Sequence, residues 1–443
     1  MLIPENVLAI IKRLSRAGFD AYAVGGCVRD SLMGRTPKDW DVCTSALPEQ
    51  VRAVFSGQRI IDTGIKHGTV TLLLDGESYE ITTFRIDGAY NDSRRPESVE
   101  FTDDITADLS RRDFTVNAMA WSPERGLMDP FGGREDLDRG LLRAVGEPGV
   151  RFREDALRIL RGVRFSVDGF RVEKNTAAAM LENRELLDNI SAERKREELV
   201  SSMLRGKIRG PFTEFREVMA QVVPELRPAF DCEQRNRHHC YDVYTHILTA
   251  VDNCGSSDPA VKMALLLHDI AKPAMKKFYK GQDHFKGHPA AGAKIAAEVM
   301  KRLKFDNASI DKAEMLVRFH DVRLVHGMPQ ILKLMSLLGD DMMPELFDIM
   351  EADIMAQSEY GREEKLMLKN KGRENYETAL RENMCRSLKG LAVHGEDARS
   401  LGLKGREIRA ALRYCLNGVM NLAVENAREP LSEYMRGFVS KIR

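Results

Sequence analysis

Strand-like segments crowd into roughly the first 140 residues of this chain, and beyond about residue 150 every segment carries a helical period. That asymmetry restricts the fold to a small sheet-bearing unit followed by packed helices. Residues 1–20 place apolar side chains at helical spacing. AYAVGG then reads as a short strand running into glycines, VRDSLMG as a helix leaving them, and DWDVC as a second strand. TVTLLLDG, SYEITTFRID and VEFT follow as further strands with turn residues between them. No ten-residue helix separates the strand pairs, so the expected α+β fold has a mostly antiparallel or mixed sheet and is not doubly wound. EDALRILRGVRF, NTAAAMLENRELLDNI and SAERKREELVSSMLRG open the helical part. Boundaries are expected near residues 140–150, near Pro211 to Pro228, and near the charged stretch GREEKLMLKNKGRENYE.

A length of 443 residues favours several packed units over one core. No apolar run reaches the roughly 18–20 residues that a membrane span needs. The start of the chain breaks its apolar positions with charges and lacks a secretory pattern, so a cytoplasmic location is expected. The seven cysteines form no CxxC pair and read as free buried thiols. A formal net charge of +0 argues mildly against a nucleic-acid binder. A local basic stripe can still coexist with acidic surface, and six arginines between Arg143 and Arg164 are one candidate.

The front of the chain carries Gly25-Gly26, then Arg29-Asp30, then Asp39-Trp40-Asp41. Glycines at a strand-to-helix turn let backbone N–H groups approach an anion closely. Asp residues at i and i+2 on a strand share a face, and paired carboxylates suit Mg²⁺ and phosphoryl transfer. Each motif alone is weak; the ordered set is much stronger, and it resembles the nucleotidyltransferase superfamily that includes DNA polymerase β and poly(A) polymerases. That resemblance implies a third metal-facing carboxylate, for which Glu80 is the candidate, against the reading of a solvent-facing strand residue.

Arg111-Arg112-Asp113, with Asn117 beyond, offers cations for a triphosphate and hydrogen-bonding groups for a ribose hydroxyl. A capped helix start is the competing reading. Further on, Asp155 and Arg158 sit at i and i+3 and are expected to share one helix face, followed by Arg161. Asp only accepts hydrogen bonds and Arg only donates them. Cytosine and adenine both present an amino donor beside a ring-nitrogen acceptor, so one such pair can take either base and refuse guanine and uracil. On spacing alone, a surface ion pair worth ~0.3 kcal/mol is the likelier reading.

GGCVRD, DWD, RRDFTVNA and EDALRILR occur in the order and approximate spacing of the class II tRNA nucleotidyltransferases, the CCA-adding enzymes. The resemblance is dense over roughly the first 200 residues and touches the tail at HGEDARSLGLKGREIRAAL. It implies Asp39, Asp41 and Glu80 as the catalytic Mg²⁺ site. It implies Gly25, Gly26 and Arg29 at the triphosphate; Arg111, Arg112, Asp113, Asn117 and Arg161 around the nucleotide; and Asp155 and Arg158 at the base. The substrates implied are tRNA, CTP and ATP. The loop FRIDGAYNDSRRPESVEF, with Asp87, Gly88, Asp92 and the Arg94-Arg95-Pro96 corner, corresponds to one that members finishing with A possess. Full CCA addition is favoured, with an A-adding enzyme as the alternative; the HD-like domain downstream and the neutral overall charge lean away from a poly(A) polymerase.

Downstream, His246, His268-Asp269, His288, His320 and Asp353 lie in helical segments in an order that resembles the HD superfamily of metal-dependent phosphohydrolases. Imidazoles and carboxylates from several helices can enclose one or two divalent ions. In this family the domain is implied to act on phosphoester ends such as 2′,3′-cyclic phosphates; a retained scaffold with weak activity is the competing reading. His238, His239, His284 and His326 read as structural or surface residues. The expected division is a head at 1–142, a helical neck at 143–225, an HD-type domain at 226–360 and a helical tail at 361–443. A phosphohydrolase with an inactive head is disfavoured by the intact Asp39 and Asp41.

Overall fold

A computed structural model describes residues 3–88 and 98–442. It forms two compact units, Met1–Pro224 and Glu225–Arg443. Among the described residues no helix is long and apolar enough to cross a membrane.

The first unit is built on a mixed sheet. Its strands are β1 (Ala21–Val24), β2 (Asp41–Thr44), β3 (Arg59–Gly64), β4 (Thr69–Leu74) and β5 (Glu77–Thr83). β6 (Arg85–Asp87) and β7 (Val99–Phe101) form a separate antiparallel ribbon, and β8 (Ala120–Ser122) and β9 (Gly126–Met128) complete the main sheet. The order is β3-β4-β5-β2-β1-β8-β9. β2 and β5 run parallel while the other pairs are antiparallel. SYEITTFRID, expected as one strand, breaks at Phe84 into β5 and β6, because Phe84 turns fully into the core. The helix Glu5–Arg16 buries Val7, Ile10, Ile11 and Leu14, the i, i+3, i+4, i+7 stripe that its sequence carries. Tyr22, Val24, Cys43, Phe84, Leu109 and Ala118 meet in the core beneath the sheet.

Two expectations are corrected here. EDALRILR is not one helix: Pro148–Glu154 ends before Asp155, and Leu157–Val167 begins after Ala156. Asp155 has extended backbone, φ −138° and ψ 102°, so it does not share a helix face with Arg158. Its carboxylate instead accepts from the Leu157 N–H at 3.1 Å, which satisfies an orphan donor of the next helix. The seven cysteines are free as expected, but Cys232 is only half-buried and Cys240 is exposed.

The second unit is helical apart from a hairpin of Lys277–Tyr279 and Gln282–His284. Asp242, Asp258 and Asp306 cap Val243–Asn253, Pro259–Leu267 and Asn307–Phe319 by accepting from backbone N–H groups. Pro259–Leu267 is buried at every position from Ala260 to Leu267, which explains a run that is apolar except for Lys262, whose ammonium donates to the Val251 and Cys254 carbonyls. It packs between Val243–Asn253, His288–Arg302, Asn307–Phe319 and Met342–Ala356. The charged stretch read as a boundary is one helix, Arg362–Arg381, packed against Gly327–Leu338 and Met342–Ala356.

Candidate functional site

In the first unit, β1 ends at Gly25, which has φ +79° and caps the helix Gly26–Leu32. A Cβ at Gly25 would lie 2.7 Å from Nη1 of Arg112, so only glycine lets that guanidinium rest against the turn. Arg29 donates to Asn117 Oδ1 at 2.6 Å and to Asp30 Oδ1 at 2.7 and 2.8 Å. Gly25, Arg29, Arg112 and Asn117 are thus gathered around the end of β1.

Asp41 begins β2, and its register partner on the parallel neighbour β5 is Glu80. Asp39 lies just before the strand instead of on it, so the shared-face argument for Asp39 and Asp41 holds only at the strand mouth. All three carboxylates are exposed. The groups packed around Asp41 strip part of its hydration and raise its pKa; Arg112 pulls it back down, while Glu80 and Asp39 push it up. Three carboxylates that feel one another in this way, opposite an arginine, form a donor set that suits Mg²⁺.

Beneath this mouth lies an ion-pair layer. Asp108, fully buried and missed in the sequence reading, accepts from Arg111 Nε and Nη2 at 3.0 and 2.8 Å and lies 3.6 Å from Arg112 Nη2. Its i+3 and i+4 spacing to two arginines was the available signal. Asp113 is buried, and both its oxygens are engaged within the protein. One oxygen accepts from the Phe114 N–H and Asn117 Nδ2, and the other pairs with Arg161 at 2.7 and 2.8 Å. Burial alone would raise its pKa, but Arg161 and Asn117 hold it down at about 2. Asp113 therefore positions Asn117, which is itself buried and holds Arg29, and Arg161.

The proposed base readers are not paired with each other. Asp155 Oδ2 pairs with Arg194 at 2.9 Å. Arg158 is buried and donates to Glu154 Oε2 at 2.8 Å and to the carbonyls of Arg111 and Arg151 at 2.6 and 3.2 Å. The loop positions Asp92 and Arg94-Arg95-Pro96 lie outside the described residues; Asp87 and Gly88 fall at the end of the β6–β7 ribbon.

In the second unit, all six expected ligands converge. His246 comes from Val243–Asn253, His268 and Asp269 from the end of Pro259–Leu267, His288 from the first turn of its helix, His320 from the end of Asn307–Phe319 and Asp353 from Met342–Ala356. They form two overlapping sets: His246, His268, Asp269 and Asp353, and Asp269, His288 and His320. Asp269 joins them, with Oδ2 at 3.1 Å from His246 Nε2 and 3.2 Å from His268 Nε2, and Oδ1 at 3.1 Å from His288 Nε2.

Each histidine turns its Nδ1 to a backbone carbonyl: Ala356 at 3.3 Å, Leu265 at 2.7 Å, Phe285 at 2.9 Å and Val317 at 2.7 Å. A carbonyl only accepts, so Nδ1 carries a proton and each ring turns its Nε2 inward. These Nε2 atoms lie 3.3 and 3.4 Å apart in the pairs His246–His268 and His288–His320. Asp269 Oδ1 is buried and accepts no hydrogen bond, while Oδ2 has the Lys272 ammonium beside it. Four imidazole nitrogens and the carboxylates of Asp269 and Asp353 converging in a buried site form a donor set that suits divalent cations.

A cavity of about 650 Å³ opens over these ligands, and its wall brings in Lys272, Lys286, Arg323 and Lys365. Lys272 Nζ lies 2.5 Å from Asp269 Oδ2 and donates to Gln234. His239, set aside in the sequence reading, also lines this cavity, with its ring perpendicular to His246 and 5.2 Å away. The i+3 spacing of Lys272 from Asp269 was readable; Arg323, Lys365 and His239 come together only through helix packing.

Residues 21–143 match the Poly A polymerase head domain, residues 169–230 the "Probable RNA and SrmB- binding site of polymerase A", and residues 237–357 the HD domain. A CCA-adding enzyme of Lactobacillus gasseri is 51% identical over 194 residues, which cover 44% of this chain and 48% of the relative. One of Geobacillus thermodenitrificans is 51% identical over 191 residues, 43% of this chain and 47% of the relative. The chain spans about half the length of the curated relatives it matches. It is similar over its whole length to the crystal structure of the Bacillus stearothermophilus CCA-adding enzyme in complex with CTP, with 28% identity, a TM-score of 0.71, and coverage of 100% of this chain and 99% of that one. A Thermotoga maritima CCA-adding enzyme complexed with tRNA shares the fold at 20% identity and a TM-score of 0.61, over 99% of this chain and 96% of that one.

Proposed function

Because the chain belongs to the tRNA nucleotidyltransferase and poly(A) polymerase family and carries an HD domain, we propose that it adds CCA to the 3′ end of tRNA from CTP and ATP in the cytoplasm, and that its HD centre is a phosphohydrolase. The observation that carries the first part is the pairing of Asp41 with Glu80 across two parallel strands, beside Asp39 and within reach of Arg112's charge. Bound to Asp39, Asp41 and Glu80, Mg²⁺ would supply charge neutralisation for attack of the RNA 3′ oxygen on the α-phosphate. The protein's own share is positioning and electrostatics. Arg112, seated on Gly25, and Arg29, fixed by Asp30 and Asn117, offer preset cations to the triphosphate.

Base choice in this reading falls to Asp155 and Arg158, each held by its own positioning residue, Arg194 and Glu154. The bonds of Arg158 to Glu154 and two carbonyls use three of its five N–H groups, and a further donor can meet the ring nitrogen of C or A. Arg194 holds the Asp155 carboxylate in place to accept the amino group. The HD reading is supported by the convergence of four Nε2 atoms with Asp269 and Asp353 under a basic cavity.

The deciding experiment offers tRNA ending at the discriminator base CTP alone, ATP alone, or both. CCA addition gives two C, then one A, then arrest; continued A incorporation would establish a poly(A) polymerase, and A added only to a CC end an A-adding enzyme. Asp39→Ala abolishes addition with the fold retained, and retained activity would refute the Mg²⁺ assignment.

A further inference from the structure

The hairpin of the second unit, Lys277–Tyr279 paired with Gln282–His284, carries the two most exposed Phe, Tyr or Trp side chains among the described residues, Phe278 at 61% and Tyr279 at 62%. Adjacent rings left in water on a short ribbon mark a contact surface. Successive strand residues point to opposite faces, so each face of the ribbon carries one ring. Phe278 is opposite the buried Asp283 in register. Asp283 accepts from the Arg235 backbone N–H at 2.9 Å and from its Nε at 3.2 Å, and this holds the guanidinium 4.8 Å over the Phe278 ring. Lys277 shares the face of Tyr279, and His284, opposite Lys277 in register, has its ring 6.3 Å from that of Tyr279. Lys280 Nζ lies 5.4 Å from the Tyr279 centroid.

The hairpin is also a basic spot in a chain of formal net charge +0: between residues 276 and 286 four lysines stand against one aspartate. Arg235 and Lys276 take up that aspartate, each at 3.2 Å. Lys277, Lys280 and Lys286 are exposed and pair with no carboxylate among the described residues. The turn places Lys280 at φ +49° and Gly281 at φ +78°, both left-handed, as in the two-residue turns that suit a twisted hairpin. Asn, Asp or Gly ordinarily takes the first of these positions; here a lysine occupies it against the backbone preference and sets a cation at the tip.

Exposed rings interleaved with unpaired cations match a single-stranded polynucleotide, which offers free base faces and one phosphate per nucleotide. A duplex hides its base faces in its own stack. An acidic peptide would meet the lysines but brings no flat faces for rings on both sides of the ribbon. We propose that this hairpin is a stacking platform for single-stranded RNA, with bases on Tyr279 and on the Phe278–Arg235 layer and phosphates at Lys277, Lys280 and Lys286. It lies outside residues 169–230, the segment matched as RNA-binding, and uses neither the carboxylates of the first unit nor the histidine ligands, so it stands apart from both activities proposed above.

The full chain is irradiated with a short oligoadenylate carrying one 4-thiouridine, over a range of RNA concentrations, and the cross-linked peptides are identified by mass spectrometry. Half-saturation of the cross-link on residues 277–286 reads this surface separately from any other RNA contact. Tyr279→Leu and Phe278→Leu, both at exposed positions, keep an apolar side chain without a ring, and each raises the half-saturating concentration by about tenfold, the worth of one stacked base. Tyr279→Trp, which restores a stacking face, leaves it at the wild-type value or below. Lys277→Gln combined with Lys280→Gln lowers the slope of log affinity against log salt by about 1.4, for two single-strand phosphates released. Cross-links confined to other peptides, half-saturation unaltered by Tyr279→Leu and Phe278→Leu, or equal capture of the strand annealed to its complement overturns the platform. RNA and DNA single strands share this chemistry, and the deoxy strand is run beside the ribo strand to separate them. Sensitivity of either to Tyr279→Leu upholds the platform, and insensitivity of both overturns it.

Discussion

Replacing Asp113 with Asn isolates the buried ion pair on which the nucleotide-facing layer rests. The Asp113 carboxyl sits at about 2 because Arg161 and Asn117 outweigh the cost of burying its charge. Against an unfolded value of about 3.9, that depression corresponds to ~2–3 kcal/mol of stability at neutral pH. The folded pKa is the lower one. The contribution is therefore complete above about pH 4 and disappears as pH falls towards about 2; near pH 3 about half remains. Asn keeps the shape but turns an amide donor or a neutral oxygen towards Arg161, which leaves that cation underpaired. The two tryptophans, Trp40 and Trp121, both lie in the first unit, so urea unfolding followed by tryptophan fluorescence reports on that unit. Asp113→Asn is expected to lower its unfolding free energy by ~2–3 kcal/mol at pH 7 and by about half as much at pH 3. Adding Arg161→Gln to the same chain recovers part of the loss, since the stranded charge has gone. A single variant within about 0.5 kcal/mol of wild type at pH 7, or a deficit that does not shrink in acid, refutes the argument.

Gly25→Ala places a methyl 2.7 Å from Arg112 Nη1 at φ +79°; KM for CTP and ATP rises together by about tenfold or more with the fold retained, and unaltered kinetics would mean that Arg112 is not held by this turn. His268→Ala strips divalent metal from the second unit, read by elemental analysis of the dialysed protein, while nucleotide addition to tRNA persists; full metal content would discredit the ligand set. Arg194→Ala releases Asp155 from its ion pair and relaxes the choice between correct and incorrect bases severalfold, scored as GTP or UTP misincorporation; unchanged fidelity removes Arg194 from base selection.

What the sequence made legible, and what it did not, divides along a physical line. Features written within a few residues came through: the apolar stripe of Glu5–Arg16, the glycine turn after β1, and the buried run of Pro259–Leu267. Glu80 could be nominated only through resemblance, because its partnership with Asp41 is a register between strands some forty positions apart, and no local period encodes it. Asp155 shows the opposite failure. Its spacing from Arg158 fits a helix, but a carboxylate can also satisfy the next helix's N–H groups, and that local bond prevailed over the helical period. Asp113 reads as a ligand group and Asp108 goes unnoticed for a related reason, since an acid next to arginines looks the same in sequence whether it serves a ligand or holds the arginines for one. Only burial separates the two cases, and here both acids are buried with cationic partners. The histidines were legible as an order of residues, yet the division of labour at Asp269, one oxygen towards each set, arises from helix packing alone. Substituting Asp269 should therefore weaken both metal sets at once, whereas substituting His246 or His320 should weaken one. Equal loss from all three would contradict a bridging carboxylate.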